Sequence, residues 1–474
     1  RARRSGQPPG GTPWRTTPRA RCRAAAMQAA RRLACAGDRA AAGQRLSAPS
    51  AGARPVASAM RRAVTAGAAG GVACFAALSY RDGAAVTLAR LDHKARPTLA
   101  SILPHSVFVW IYSSSRTMFL WLMAHGGGPR VAEFPSPTTV LGLRFRGDLG
   151  NSAGLDKDAT LLDFSFDLGA GFAVVGTVLS EPHTGNLFPM WGGLLSGNAW
   201  TPLPLSGGAL NSLGLPAHGV DVAVRNIEEF RRRRGIPPQA PAGAAGAPPP
   251  LADSFPIGVS IMGHPLHQGQ QKLDGVMECI RKVLPVADFI EINESCPNVK
   301  HSGDTDGPDG LAARLKAVTQ LRDSMRSAIG RRVPILVKLG DIGDPDTTVK
   351  LLAANGVDGV VVLNTQRDYS SFDLEAGDKS LLEHYTGAYG GGLSGPPIRG
   401  RSAEQAAALA AAARRQRLQG RFAVVHVGGL SSAEDVRQSR AAGPELRQWY
   451  TGLVNALAEG SIGAGNLYPL VTAA

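Results

Sequence analysis

From about residue 139 the chain alternates short β-branched runs with Gly-rich turns and Ala/Arg/Glu-rich helical stretches, and this alternation constrains the fold more than any other feature. Six runs read as buried strands: Gly171–Val175, Ile257–Ile261, Phe289–Ile292, Pro334–Val337, Gly359–Leu363 and Phe422–Val427. Apolar runs of this length, separated by helices, suit a parallel sheet covered on both faces. The stretch before Asn151 supplies a first strand, and Arg447–Tyr450 reads as a weak eighth. Roughly eight strands alternating with helices predict a parallel (β/α)8 TIM barrel. A doubly wound open sheet is the runner-up, but no GxGxxG follows the first strand.

The strand ends carry the chemistry. They read Ala153-Gly154-Leu155-Asp156-Lys157, Gly176-Thr177, Ser260, Asn293 with Cys296, Lys338, Asn364-Thr365 and Gly428-Gly429. Polar residues at so many strand ends predict one barrel mouth ringed by loops, where such folds build their active sites. The most specific segment is Glu291-Ile-Asn-Glu-Ser-Cys-Pro-Asn298. A thiol at Cys296 can take a proton, while the amides of Asn293 and Asn298 can read the carbonyls and N–H groups of a small polar heterocycle.

Glycines cluster late, at Gly390-Gly391-Gly392-Leu393-Ser394-Gly395, Gly428-Gly429 and Thr451-Gly452. Loops after the last strands of such barrels hold phosphate through backbone N–H groups, so a phosphorylated cofactor is expected. Lys338 follows an apolar run and would aim its ammonium into the mouth, where it could stabilise the negative charge a flavin gains on accepting hydride. Lys157 could bridge cofactor and a substrate carboxylate. The loop Gly207–Gly219 carries the amide of Asn211 and glycines that let backbone approach a flat ligand. His218, between glycines of that loop, reads as structural rather than as a base.

Charge separates the head from the body. Residues 1–62 hold fourteen arginines, one aspartate and no lysine or glutamate, so they carry +13 of the net +14. A near-neutral body argues against a nucleic-acid surface; a basic Arg/Ala/Ser head suggests a targeting leader, mitochondrial before plastid. The chain begins at Arg1, and Met27 is the expected start of translation. Residues 63–80 carry no charge over eighteen positions, the minimum for a membrane span. A second apolar tract, Val107–Tyr112 and Met118–Met123, is interrupted by Ser113–Arg116 and predicts a pair of amphipathic helices on a bilayer surface. The expected organisation is a leader over 1–62, an apolar helical membrane-associating segment over 63–128, and a barrel over 129–474 with a Pro/Ala-rich loop at 235–254. The five cysteines, Cys22, Cys35, Cys74, Cys279 and Cys296, form no CxxC or Cys/His spacing, so neither zinc nor a disulfide framework is expected.

The segments Asn151–Lys157, Asn211–Gly219, Asn293–Asn298, Val337-Lys338, Leu363-Asn364-Thr365, Gly391–Gly395, Val427–Ser432 and Tyr450-Thr451, in this order, resemble the flavin-dependent dihydroorotate dehydrogenases. The resemblance spans roughly residues 139–453. It implies an FMN-containing barrel that oxidises dihydroorotate to orotate in pyrimidine (UMP) synthesis. It makes Cys296 the base, with Lys338 beside the flavin. Lys157, Asn211, Ser212, Leu213, Gly214, Leu215, Asn293, Asn298, Asn364 and Thr365 would hold substrate. Ala153, Gly154, Lys157, Thr177, Ser260, Asn293, Lys338, Ser394, Gly395, Gly429, Tyr450 and Thr451 would hold FMN.

The pattern mixes two classes of that family. Cys296 and Asn211–Pro216 resemble the soluble enzymes; the basic leader and apolar tracts resemble the membrane-bound, quinone-reducing ones of the mitochondrial inner membrane. Met190-Trp191-Gly192 stands where an arginine usually follows the Gly185–Pro189 stretch. Quinone is the expected acceptor and fumarate its rival. A catalytically silent flavin-barrel binding protein, and an oxidoreductase of another dihydropyrimidine, are the alternative readings. Only 22 residues follow Gly452, and Pro444–Gln448 makes a poor strand; a mis-spliced or truncated gene model would explain this, whereas a genuine end of this kind would weaken barrel closure and the phosphate site.

Overall fold

The structure is a computed structural model that describes residues 83–126, 136–190, 193–239, 250–295, 308–459 and 467–472, with Ser79 and Phe134. The leader, residues 63–78, the loop core 240–249, and Cys296 and Asn298 lie outside the described residues. Two helices come first, α1 (Ala84–Ile102) and α2 (His105–His125). A hairpin follows, β1 (Thr138–Val140) with β2 (Leu143–Phe145). The chain then runs through β3 (Leu149–Asn151), α3 (Leu162–Asp167) and β4 (Ala173–Val178). Two antiparallel pairs are inserted next, β5 (Phe188–Met190) with β6 (Leu195–Gly197), and β7 (Ala199–Leu203) with β8 (Gly208–Ser212). Strict alternation resumes with α4 (Val220–Arg234), β9 (Ile257–Ile261), α5 (Gly269–Val283), β10 (Phe289–Asn293), α6 (Pro308–Ile329), β11 (Ile335–Leu339), α7 (Pro345–Ala354) and β12 (Gly359–Val362). The last elements are α8 (Ala376–Tyr389), β13 (Gly392–Ser394), α9 (Arg399–Arg415), β14 (Ala423–Val427), α10 (Ala433–Ala442), β15 (Leu446–Trp449), α11 (Thr451–Glu459) and α12 (Leu467–Thr472).

Eight parallel strands form one sheet in the order β3-β15-β14-β12-β11-β10-β9-β4. Its ends meet: Asp156 bridges Val175, Gly154 N donates to Gly176 O at 2.6 Å, and Gly176 N donates to Asp156 O at 2.8 Å. The predicted barrel is therefore the observed one.

Side chains alternate along each strand. Phe172, Val174, Phe289, Leu336, Val361, Val425 and Leu446 fill the barrel interior, and Phe145 of β2 plugs its lower end, edge-on to Phe172 at 5.4 Å. The intervening residues, among them Val175, Ile290, Val337, Val360 and Val424, pack outward against the helices. Higher in the interior the same inward positions turn polar, at Glu291, Asn293, Lys338 and Gln448. The greasy floor and polar upper layer direct all site chemistry to one end.

The eighth strand corrects the expectation of weak closure. All four residues of β15 are buried, and it pairs with β14 on one side and β3 on the other. Its polarity has a reason: Arg447 Nη1 donates to Asp148 Oδ2 at 2.7 Å, and Gln448 points into the polar interior layer. The described chain also continues into α11 and α12, whose Tyr468 packs on Trp449.

The N-terminal helices differ from expectation too. Ser113–Arg116 does not interrupt α2, because Ser, Thr and Arg tolerate helix and Ser113 Oγ donates to Trp200 O at 3.0 Å. The pair is formed with α1 instead, and Phe108, Val109 and Tyr112 are buried against the β7–β8 side. Leu91, Met118 and Trp121 remain exposed. Among the described residues no helix is long and apolar enough to cross a membrane.

Candidate active site

Above the polar layer lies a cleft enclosing about 1310 Å³ of space continuous with solvent. It collects most of the residues singled out from sequence: Ala153, Gly154, Lys157, Thr177, Asn211, Leu213, Gly214, Leu215, Asn293, Lys338, Asn364, Thr365, Ser394, Gly395, Gly429, Tyr450 and Thr451. Two do not line it. Ser212 is buried and turned away, because its neighbours on β8 alternate faces, and Ser260 lies behind Thr177. Asn298 and Cys296 fall outside the described residues.

A chain of hydrogen bonds fixes the amides. Thr177 Oγ1 lies 3.2 Å from Ser260 Oγ and accepts from Asn293 Nδ2 at 2.9 Å. Asn293 Oδ1 accepts from Ser295 Oγ at 3.0 Å, and Ser295 Oγ in turn accepts from Asn364 Nδ2 at 2.9 Å. Four strand ends, β4, β9, β10 and β12, are thus locked into one polar rim. Asn211 reaches the same cleft from β8, its Nδ2 near Gly392 O at 3.4 Å.

Lys157 is placed by the residue before it. Asp156 accepts from Thr160 N at 2.8 Å and Leu161 N at 3.0 Å, which pins the loop after β3. Burial pushes the Asp156 carboxyl up to about 7, against the pull of those backbone donors. His218 stands apart on the surface, 2.7 Å from Asp158, and serves as a structural pair.

The opposite wall has the form of an anion cradle. Gly395 has φ 89° and Gly429 φ 75°, and both face the cleft with the N-terminus of α11. A Cβ on Gly395 would lie 2.8 Å from Thr451 Cγ2 and 3.0 Å from Gly207 O. Ser394 Oγ and Thr451 Oγ1 are 3.0 Å apart. Backbone N–H groups at a helix start and beside left-handed glycines are the donor set that phosphate selects. Thr365 Oγ1 is buried with no partner among the described residues, a further polar atom left for a ligand.

Several residues in or beside the cleft are not legible from the sequence. Ser295, one position before Cys296, joins the amide chain; its place inside the motif was the available signal. Gln448 was hidden by the unconvincing eighth strand. Glu291 is a lone charge inside an apolar run, which is the signal that marks it. Arg96 of α1 lines the cleft, and Arg116 Nη2 of α2 donates to Tyr450 Oη at 3.2 Å, contacts no sequence pattern announces.

A closed parallel barrel whose strand ends join fixed amides, two lysines and an anion cradle defines a barrel enzyme of the cofactor-and-substrate kind. The family model for dihydroorotate dehydrogenase matches residues 136–459, and the chain belongs to that family. Among curated relatives, dihydroorotate dehydrogenases (quinone) from two strains of Stenotrophomonas maltophilia are 33% identical over 323 residues and 35% over 326, each covering 68% of this chain and 80% of the relative. One from Xanthomonas campestris pv. campestris is 30% identical over 323 residues, with the same coverage. Among solved structures, a DHODH of Eimeria tenella in complex with ferulenol aligns at TM-score 0.60 and 23% identity, covering 75% of this chain and 89% of that one, and supports the fold.

Proposed function

We propose that this chain oxidises (S)-dihydroorotate to orotate in pyrimidine biosynthesis, with FMN in the cleft and a quinone as the final acceptor. The observation that carries the reading is the convergence of Lys157, Asn211, Asn293, Lys338 and Asn364 on one cleft that ends in a glycine cradle. The cradle and Lys338 fit FMN: the backbone donors would take its phosphate, and the ammonium would stabilise the negative charge it gains on reduction. FMN bound there supplies the two-electron acceptor for the hydride that leaves C6.

The protein's own part is binding, orientation and proton removal. Lys157 pairs with the substrate carboxylate. The amides of Asn211, Asn293 and Asn364 present both donors and acceptors to the ring carbonyls and N–H groups, and the Thr177–Ser295 chain decides which ends of Asn293 and Asn364 face the ligand. Cys296 takes the C5 proton, so that a C5–C6 double bond forms as the C6 hydrogen departs. Asn298 belongs to the same motif and would add a further amide.

The basic leader supports a mitochondrial address, with the inner membrane as the site of quinone exchange. The exposed Leu91, Met118 and Trp121 of α1 and α2 support association with a membrane surface. The test is anaerobic addition of dihydroorotate to the purified full chain. Bleaching of bound flavin, reversed by a ubiquinone analogue faster than by fumarate, is expected; colourless protein defeats the proposal. Cys296→Ala should keep the flavin and lose substrate-driven bleaching.

A further inference from the structure

Most inward positions on the lower strands are apolar, yet Glu291 on β10 is fully buried inside the barrel. A buried carboxylate is costly unless it is paired and hydrogen-bonded. Glu291 is only partly satisfied. Its Oε2 accepts from Gln448 Nε2 at 3.2 Å, while Oε1 has no hydrogen-bond partner among the described residues. The nearest cation to Oε1 is Lys338 Nζ, at 3.9 Å, itself on a side chain only 6% exposed. That gap is an ion contact and not a hydrogen bond. The ammonium is therefore attracted downward without being captured, and its donors stay available to the cleft that Lys338 lines.

Strand register explains the layering. Asn293 pairs with Lys338 across β10 and β11, whereas Glu291, two residues earlier on the same face, pairs with Leu336 one layer lower. Gln448 reaches Glu291 from β15, which stands opposite β10 across the barrel, four strands away in either direction. Its own Oε1 is likewise unpartnered among the described residues. The trio is a polar brace in which Lys338 and Gln448 line the cleft and Glu291 lies beneath them.

We propose that Glu291, held by Gln448, is a positioning residue that sets how far and with what effective charge Lys338 acts on the flavin. The inference rests on the FMN reading above. A carboxylate below the ammonium tempers its field in the resting enzyme and gives it a second place to point. Replacing Glu291 leaves the ammonium uncompensated and raises the stability of the reduced, more negative flavin.

The experiment is the midpoint potential of flavin in the holoenzyme, equilibrated against a reference dye, for wild type, Glu291→Gln and Glu291→Asp. Glu291→Gln should favour reduction by roughly ten-fold, about 30 mV for a two-electron couple. Glu291→Asp keeps the charge and withdraws it from Lys338, so an intermediate upward shift is expected. It is also the variant to read if the glutamine protein does not fold. An unchanged potential in yellow Glu291→Gln protein overturns the inference. A shift in Glu291→Gln with Glu291→Asp at the wild-type value overturns positioning, since charge alone would then act. Colourless wild-type protein would instead overturn the parent reading.

Discussion

Removing the carboxylate of Asp148 should unfasten the barrel at its last joint. Asp148 sits at the entry to β3, and its Oδ2 accepts from Arg447 Nη1 of β15 and from Arg440 Nε of α10, each at 2.7 Å. Its Oδ1 accepts from Arg440 Nη2 at 2.9 Å. Arg440 is partly exposed and can turn to water, so its share of the loss is small, as for surface pairs generally. Arg447 cannot: it is 2% exposed, and burial already pushes its guanidinium below the usual arginine range while Asp148 pushes it back. Asp148→Ala therefore strands a buried charge, a loss of about 3–5 kcal/mol. For a domain of this size, at about 2 °C per kcal/mol, the melting temperature should fall by roughly 6–10 °C. Circular dichroism melts read the effect, and bound flavin should be released with it because β15 leads straight into Tyr450 and Thr451. Asp148→Leu with Arg447→Met replaces the pair by apolar volume and should regain most of the loss. A cost below about 1 kcal/mol for Asp148→Ala would refute the claim that this ion pair closes the barrel.

The same strand shows where sequence reading stopped. Runs such as Gly359–Leu363 and Phe422–Val427 are legible because their environment is apolar on both faces, and hydrophobicity is a local property of the residue. Leu446–Trp449 is equally buried, but its two polar residues, the outward Arg447 and the inward Gln448, are satisfied by Asp148 and Glu291, which lie 299 and 157 residues away in sequence. No local pattern encodes a partner that distant. The site divides likewise. Asn293, Lys338 and Asn364 are readable because each sits at the end of an apolar run, and Lys157 because it lies in the loop after the first strand, where barrel geometry assigns residues to the mouth. Ser295 and Gln448 needed the register, and Arg96 and Arg116 needed the docking of α1 and α2, which is set by packing against β7 and α11 and leaves no motif. The false break at Ser113–Arg116 has the same origin: the polarity of Ser113 and Arg116 marks contact with Trp200 O and Tyr450.

Two further outcomes test the site. Gly395→Ala should abolish flavin retention with little change in the melting temperature of the flavin-free protein. The added methyl meets Thr451 Cγ2 at 2.8 Å in a backbone of φ 89°, so the cradle must shift; the measurement is the flavin-to-protein absorbance ratio after gel filtration. Asp156→Asn concerns pH. Burial raises the Asp156 carboxyl from an ordinary value of 3.8 to about 7, so the folded state holds this proton more tightly than the unfolded chain. The stability that Asp156 contributes is thus greatest below about pH 4 and declines as pH rises toward 7, while a neutral asparagine feels no such change. The melting-temperature difference between wild type and Asp156→Asn should move in favour of the variant across that interval and level off above it. A difference that stays constant from pH 4.5 to 7.5 would mean that the backbone donors Thr160 N and Leu161 N outweigh burial and hold the carboxylate ionised throughout.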